Sequence, residues 1–135
     1  MDKRILLILD DDNERINRFK NVLGGLWELH IWNNAHAMIQ ELPKYLDYAD
    51  LISLDHDLYI ENETSEDPGN GLIVAKWLEQ QKPSCPIIVH SSNSERSNWM
   101  LGSLELGGWQ TKQVYPIGND WIENSWKSAV EELLK

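Results

Sequence analysis

The stretch Ile5-Leu6-Leu7-Ile8-Leu9-Asp10-Asp11-Asp12 decides the fold. Its apolar run is unbroken, too short for a membrane span, and lacks the polar alternation of a half-exposed strand. It reads as a central β-strand covered by helices on both faces. The aspartates end it abruptly. Asp12 or Asn13 can cap a helix carrying Ile16, Phe19 and Leu23, which Gly24-Gly25 stops.

Downstream the chain alternates strands and helices. From Trp27 to Trp32 apolar and polar residues alternate, with Trp27, Leu29 and Ile31 on one side, as in an edge strand. A helix from about Ala35 presents Met38, Ile39 and Leu42, and Pro43 is expected to disturb its end. Leu51 to Leu54 is a third, buried strand, followed by a polar connection from Tyr59 to Asn70. That length, with few apolar anchors, predicts a mobile flap. Gly71 opens a helix with Leu72, Ala75 and Leu78, and Pro86 to Val89 is a fourth strand. Ser94 is expected to cap a helix bearing Trp99, Met100 and Leu104. Gln113 to Ile117 reads as a fifth strand, at an edge because of Pro116, and a last helix spans about Asp120 to Leu134.

Strands one, three and four are continuously apolar and belong in the middle, whereas two and five suit the edges. With right-handed crossovers, the order 2-1-3-4-5 satisfies both conditions. The predicted fold is therefore an α/β three-layer (βα)5 sandwich of the flavodoxin-like class, with residues 1–135 forming a single domain. Ligands of such sheets bind where the strand order reverses, outside the carboxyl ends of strands one and three.

Composition narrows the function. A net charge of -10 repels phosphate backbones and anionic lipid, so neither nucleic acid nor membrane is an expected partner. The single cysteine, Cys85, fits a reducing compartment, and no signal peptide or spanning segment is visible, so the expected location is cytoplasmic. The tryptophans fall mostly on apolar faces and read as core. His30 and His36 sit away from the carboxyl edge and read as structural.

The chemistry collects at that edge. Strand one ends in Asp10-Asp11-Asp12, strand three in Asp55-His56-Asp57 and strand four in His90-Ser91-Ser92-Asn93. No basic residue nearby in sequence is read as pairing with Asp10, Asp11 and Asp55. Carboxylates crowded in this way repel one another and suit a hard divalent cation, Mg²⁺ or Mn²⁺. Imidazoles titrate near neutrality and suit proton transfer. Strand alternation places His90 beside Asp55 and turns His56 to the opposite side, so His90 ranks above His56.

At these residues the chain resembles the receiver domains of two-component response regulators. There the acidic pair matching Asp10-Asp11 binds Mg²⁺, the aspartate matching Asp55 accepts a phosphoryl group, and a switch Ser/Thr stands where Ser91 falls. Receivers carry a lysine before a proline on strand five, whereas this chain has Tyr115-Pro116. A closer resemblance is to the receiver-like family described as cyclic-phosphate processing. It is carried by Leu54-Asp55-His56-Asp57-Leu58, by Leu9-Asp10-Asp11-Asp12 with Arg15 following, and by His90-Ser91 with Asn93. After Asn93 the family commonly has proline then glycine, where this chain has Ser94 and Arg96. The resemblance implies a metal-dependent hydrolase of a small cyclic phosphate or related phosphoester. Its metal ligands would be Asp10, Asp11 and Asp55. His90, His56, Asp55 and Asp57 would do the catalytic work, while Arg15, Ser91 and Asn93 would contact the small phosphate-containing substrate. The alternative is a non-enzymatic receiver or pseudo-receiver, phosphorylated on Asp55 or acting by partner binding. A haloacid-dehalogenase-like reading, with Asp10-Asp11-Asp12 as nucleophile loop and Gly118-Asn119-Asp120 as a distant acidic motif, ranks third because the chain is short and lacks a cap.

Overall fold

The computed structural model describes residues 3–59 and 66–134. Its elements alternate: β1 (Arg4–Leu9), α1 (Asn13–Leu23), β2 (Trp27–Trp32), α2 (Ala35–Tyr45), β3 (Leu51–Leu54), α3 (Gly71–Glu79), β4 (Ile87–His90), α4 (Ser94–Leu106), β5 (Thr111–Val114) and α5 (Lys127–Leu133). The strands form one parallel sheet in the order 2-1-3-4-5, as the apolar runs require. Among the described residues no helix is long and apolar enough to cross a membrane.

Strand alternation sorts the core into two layers. Leu7, Leu9, Ile52, Leu54 and Val89 pack under α2, α3 and α4 with Met38, Val74 and Met100. Leu6, Ile8, Leu51, Ile88 and Val114 pack on the other face with Phe19, Ile122 and Trp126. β2 leans Trp27, Leu29 and Ile31 onto this second layer, as its alternation predicts. Asp12 caps α1, its side chain accepting from the Arg15 amide at 3.1 Å.

Several local expectations are corrected. α4 is capped by Asn93 rather than Ser94, because the Asn93 amide oxygen accepts from the Arg96 N–H at 3.1 Å. Pro43 lies inside α2 without ending it. The turn continues through the Leu46 N–H to Leu42 O bond of 2.9 Å, and both of those side chains are buried. β5 runs over Thr111–Val114, not Gln113 to Ile117. Thr111 pairs with Ile87 and Val114 with His90, so the strand ends where β4 does and Pro116 falls beyond it. The final helix is not uniform: Ile122–Trp126 form a π-turn closed by Trp126 N–H to Trp121 O at 2.8 Å. The wider turn buries Trp121, Ile122 and Trp126 together against the sheet. Of the tryptophans, Trp109, Trp121 and Trp126 are core, Trp27, Trp32 and Trp77 are half-buried, and Trp99 is exposed beneath the Arg96 guanidinium, 4.4 Å from its ring.

The expected flap includes residues 60–65, which lie outside the described residues. The far end of that connection is tied down: Pro68 O accepts from the Ala35 N–H at 2.7 Å, and Gly69 turns with φ 74°. Gly71 then passes so close to the end of β3 that a Cβ there would lie 2.1 Å from the Asp55 carbonyl oxygen and 2.7 Å from Met100 Cε. Its N–H donates to His56 O at 2.9 Å. Gly71→Ala is expected to push α3 off β3 and destabilise the fold by about 1–3 kcal/mol. Urea denaturation measures this, and an unchanged midpoint would show that the approach is not tight.

Candidate functional site

The alternation that sorts the core continues past the strand ends and builds the site. Asp10 lies two residues beyond Ile8 and Asp55 two beyond Ser53. Both fall on the α1/α5 side, as does His90 two beyond Ile88. Asp10 is wholly buried. Its Oδ1 accepts from the Asp12 amide at 2.9 Å and from Arg15 Nη2 at 2.9 Å, and its Oδ2 meets Arg15 Nε at 3.1 Å and His90 Nε2 at 2.9 Å. Arg15 Nη2 also reaches Asp55 Oδ2 at 3.0 Å. The expectation that nothing basic pairs with these carboxylates is therefore corrected. Arg15 follows Asp10 by little more than one turn of chain, and the α1 cap directs it back over the sheet edge.

His90 closes a chain of buried polar contacts. Trp126 Nε1–H donates to Ser53 Oγ at 3.0 Å, and Ser53 Oγ lies 2.7 Å from His90 Nδ1. Indole only donates, so Ser53 Oγ accepts from Trp126, and an ionised carboxylate only accepts, so His90 Nε2–H donates to Asp10. Both ring nitrogens of the ring that sequence ranks first for proton transfer are thus engaged inside the protein. Sequence reasoning missed Ser53 and Trp126. The signal was a hydroxyl in the otherwise apolar β3 run, since a buried hydroxyl must find partners.

His56 follows Asp55 at a bend beyond the end of β3. Its Nδ1 lies 2.7 Å from Asp57 Oδ1, and its buried Nε2 has no hydrogen-bond partner among the described residues. Its backbone N–H donates to Asp55 Oδ1 at 2.8 Å. Ser91 is buried, and its Oγ accepts from the Asn93 N–H at 3.2 Å. The Asn93 amide oxygen is occupied as the α4 cap. Asp11 is half-buried, and its Oδ2 accepts from the Tyr59 N–H.

Asp10, Asp11 and Asp55 each turn one carboxylate oxygen into a common space, all within 4.8 Å of one another. Opposed ligands of Mg²⁺, at about 2.1 Å each, stand about 4.2 Å apart, so this all-oxygen set fits a hard divalent cation after a small closure. The two buried carboxyls titrate in opposite directions. Burial pushes Asp55 up to about 6, the Asp10 charge adding to the rise and His90 and Arg15 opposing it. Burial also acts to raise Asp10, but its hydrogen bonds and charge contacts with His90 and Arg15 outweigh that and hold it at about 2.

Residues 5–106 match the family described as the cyclic-phosphate processing receiver domain, a span from β1 through α4 that contains every site residue from Asp10 to Asn93. The chain belongs to this family. No curated protein matches its sequence. Among solved structures it is similar to the signal receiver domain of an HD domain-containing protein from Pseudomonas fluorescens Pf-5, at 16% identity and TM-score 0.70, covering 98% of this chain and 94% of that one. It is also similar to the BeF3-activated N-terminal receiver domain of Klebsiella pneumoniae RstA, at 17% identity and TM-score 0.68, covering 98% and 99%. These likenesses show the fold of response-regulator receivers. Trp126, the far end of the polar chain to Asp10, lies beyond the matched span.

The opposed titrations predict a stability profile. Asp55, raised when folded, contributes stability that is full below its unfolded value of 3.8 and lost as pH rises through about 6. Asp10, depressed when folded, contributes stability that is present above 3.8 and lost as pH falls towards about 2. Their combined contribution peaks near pH 4, and the loss from Asp55 on going to neutral pH is about 3 kcal/mol. Thermal denaturation without metal should show a fall in Tm from about pH 5 to pH 7 that Asp55→Asn removes. An equal fall in that variant would mean other groups cause it.

Proposed function

We propose that this receiver-family domain is a metal-dependent hydrolase of small cyclic phosphates or closely related phosphoesters. The observation that carries the reading is the convergence of Asp10, Asp11 and Asp55 oxygens within 4.8 Å, with the Arg15 guanidinium set against two of the three carboxylates. Phosphoester hydrolysis needs this combination: an oxygen-lined cation site, and a forked donor for the phosphoryl oxygens.

Asp10, Asp11 and Asp55 would hold Mg²⁺ or Mn²⁺. When bound, the ion supplies charge neutralisation at phosphorus and a lowered pKa for a coordinated water. Arg15 binds and orients the phosphoryl oxygens. In the reaction a water oxygen forms a new bond to phosphorus, one ring P–O bond breaks, and the water proton ends on the departing alkoxide oxygen. Of the two histidines we assign that proton to His56, the one with a ring nitrogen not already spent on a protein partner among the described residues. Asp57 holds its Nδ1, and its Nε2 has no partner among the described residues. His90 positions Asp10 instead, both of its nitrogens being spent on Ser53 and Asp10. Ser91 and Asn93 shape the loop that enters α4.

The receiver fold itself favours a second reading, in which Asp55 accepts a phosphoryl group for signalling. Both Asp55 oxygens are engaged, Oδ1 by the His56 N–H and Oδ2 by Arg15, which suits a ligand-holding carboxylate better than a nucleophile.

Turnover of small cyclic phosphodiesters with Mg²⁺, followed by chromatographic detection of the ring-opened monoester and by intact mass of the protein, decides between them. The hydrolase reading expects metal-dependent turnover, an unmodified chain, loss of activity in Asp55→Asn, and a fall of about 10²–10⁴-fold in kcat for His56→Gln. A lasting gain of one phosphoryl group from a small phosphodonor, absent in Asp55→Asn and without turnover, would replace it with the signalling reading.

A further inference from the structure

Arg15 is paired with two of the carboxylates that a cation would need. Its Nη2 stands 2.9 Å from Asp10 Oδ1 and 3.0 Å from Asp55 Oδ2, while Nε stands 3.1 Å from Asp10 Oδ2. Asp10 and Asp55 are two of the three residues whose oxygens converge. A divalent ion held by those carboxylates at about 2 Å would lie within a few ångströms of the guanidinium. The seat is dry: the Asp10 side chain is wholly buried and that of Asp55 only 8% exposed. Salt therefore screens little of the repulsion between the two cations. Arg15 itself has a way out, since its side chain is 27% exposed and only its backbone is fixed by the Asp12 cap.

We propose that Arg15 is a tethered competitor of the divalent cation. This rests on the cation site of the preceding section but not on hydrolysis. In the metal-free fold the guanidinium neutralises Asp10 and Asp55 and keeps buried carboxylate repulsion from destabilising the sheet edge. Cation binding requires it to release Asp55, and the freed Nη2 then faces the ligand space as a phosphate donor. One side chain thereby weakens metal binding in the resting state and links metal entry to phosphate capture.

The test is a calorimetric Mg²⁺ titration of the full chain, without substrate, for wild type, Arg15→Gln and Arg15→Lys. Arg15→Gln removes the charge and is expected to bind Mg²⁺ at least about tenfold more tightly, a change of about 1.4 kcal/mol. Its metal-free Tm should be lower than that of wild type and its Mg²⁺-induced rise in Tm larger. Arg15→Lys retains the charge and should stay within about threefold of wild-type affinity. Equal or weaker Mg²⁺ binding by a folded Arg15→Gln would overturn the proposal. Should that variant not fold, the wild-type protein answers: the Arg15 Nη–H resonances, hydrogen-bonded here to Asp10 and Asp55, should shift and exchange faster as Mg²⁺ is added. Resonances unchanged at saturating Mg²⁺ would equally overturn it. Tighter binding in Arg15→Gln without any cyclic-phosphate turnover by wild type would support the competitor and remove only the hydrolase.

Discussion

A carboxylate with no exposed surface at the end of an interior strand is the constraint on which the rest of this structure depends. Asp10 closes β1, the strand flanked on both sides by β2 and β3, and an ion there is tolerable only if it is fully paired. Its partners come from every direction: the Asp12 amide from its own loop, Arg15 from α1, and His90 from β4. Each partner is itself placed by another contact. Asp12 caps α1 and so aims Arg15, while Ser53 and Trp126 fix the His90 ring. The π-turn that delivers Trp126 is thus part of the apparatus that holds one carboxylate.

The same arrangement sets Asp55 apart from Asp10, though the two are nearly equally buried. Asp10 receives a doubly bonded guanidinium and an imidazole, whereas Asp55 shares Arg15 through one nitrogen and otherwise has the His56 backbone N–H. Burial therefore dominates at Asp55 and pairing dominates at Asp10. Two carboxyls with opposite shifts, beside a half-buried third, give the site one permanent anion and one that ionises only as pH rises through about 6.

The sequence carried the sheet order and the place of the site because both follow from period-two alternation and strand burial. Ile5 to Leu9 and Leu51 to Leu54 contain no pattern other than that of buried strands, and the polar residues stand at their carboxyl ends. What it did not carry were contacts made by rotation or by distant elements. Arg15 lies only five residues from Asp10, yet its pairing depends on how the Asp12 cap sets the first turn of α1. Ser53 looked like a neutral member of an apolar strand, and Trp126 approaches it from 73 residues away. β5 shifted because pairing with β4, not the local Gln113 to Ile117 pattern, fixes its ends. The rank of the two histidines also turned on partners: the engagement of both His90 nitrogens with Ser53 and Asp10 could not be read from spacing.

The central claim is that the β1 and β3 carboxyl ends form a cation site from which Arg15 withdraws. A crystal of the full chain soaked in Mn²⁺, with anomalous scattering recorded at the manganese edge, tests it most directly. The account predicts one peak at coordination distance from Asp10, Asp11 and Asp55, with Arg15 Nη2 moved off Asp55. A saturated crystal with no peak there, and with Arg15 still bridging Asp10 and Asp55, would contradict it.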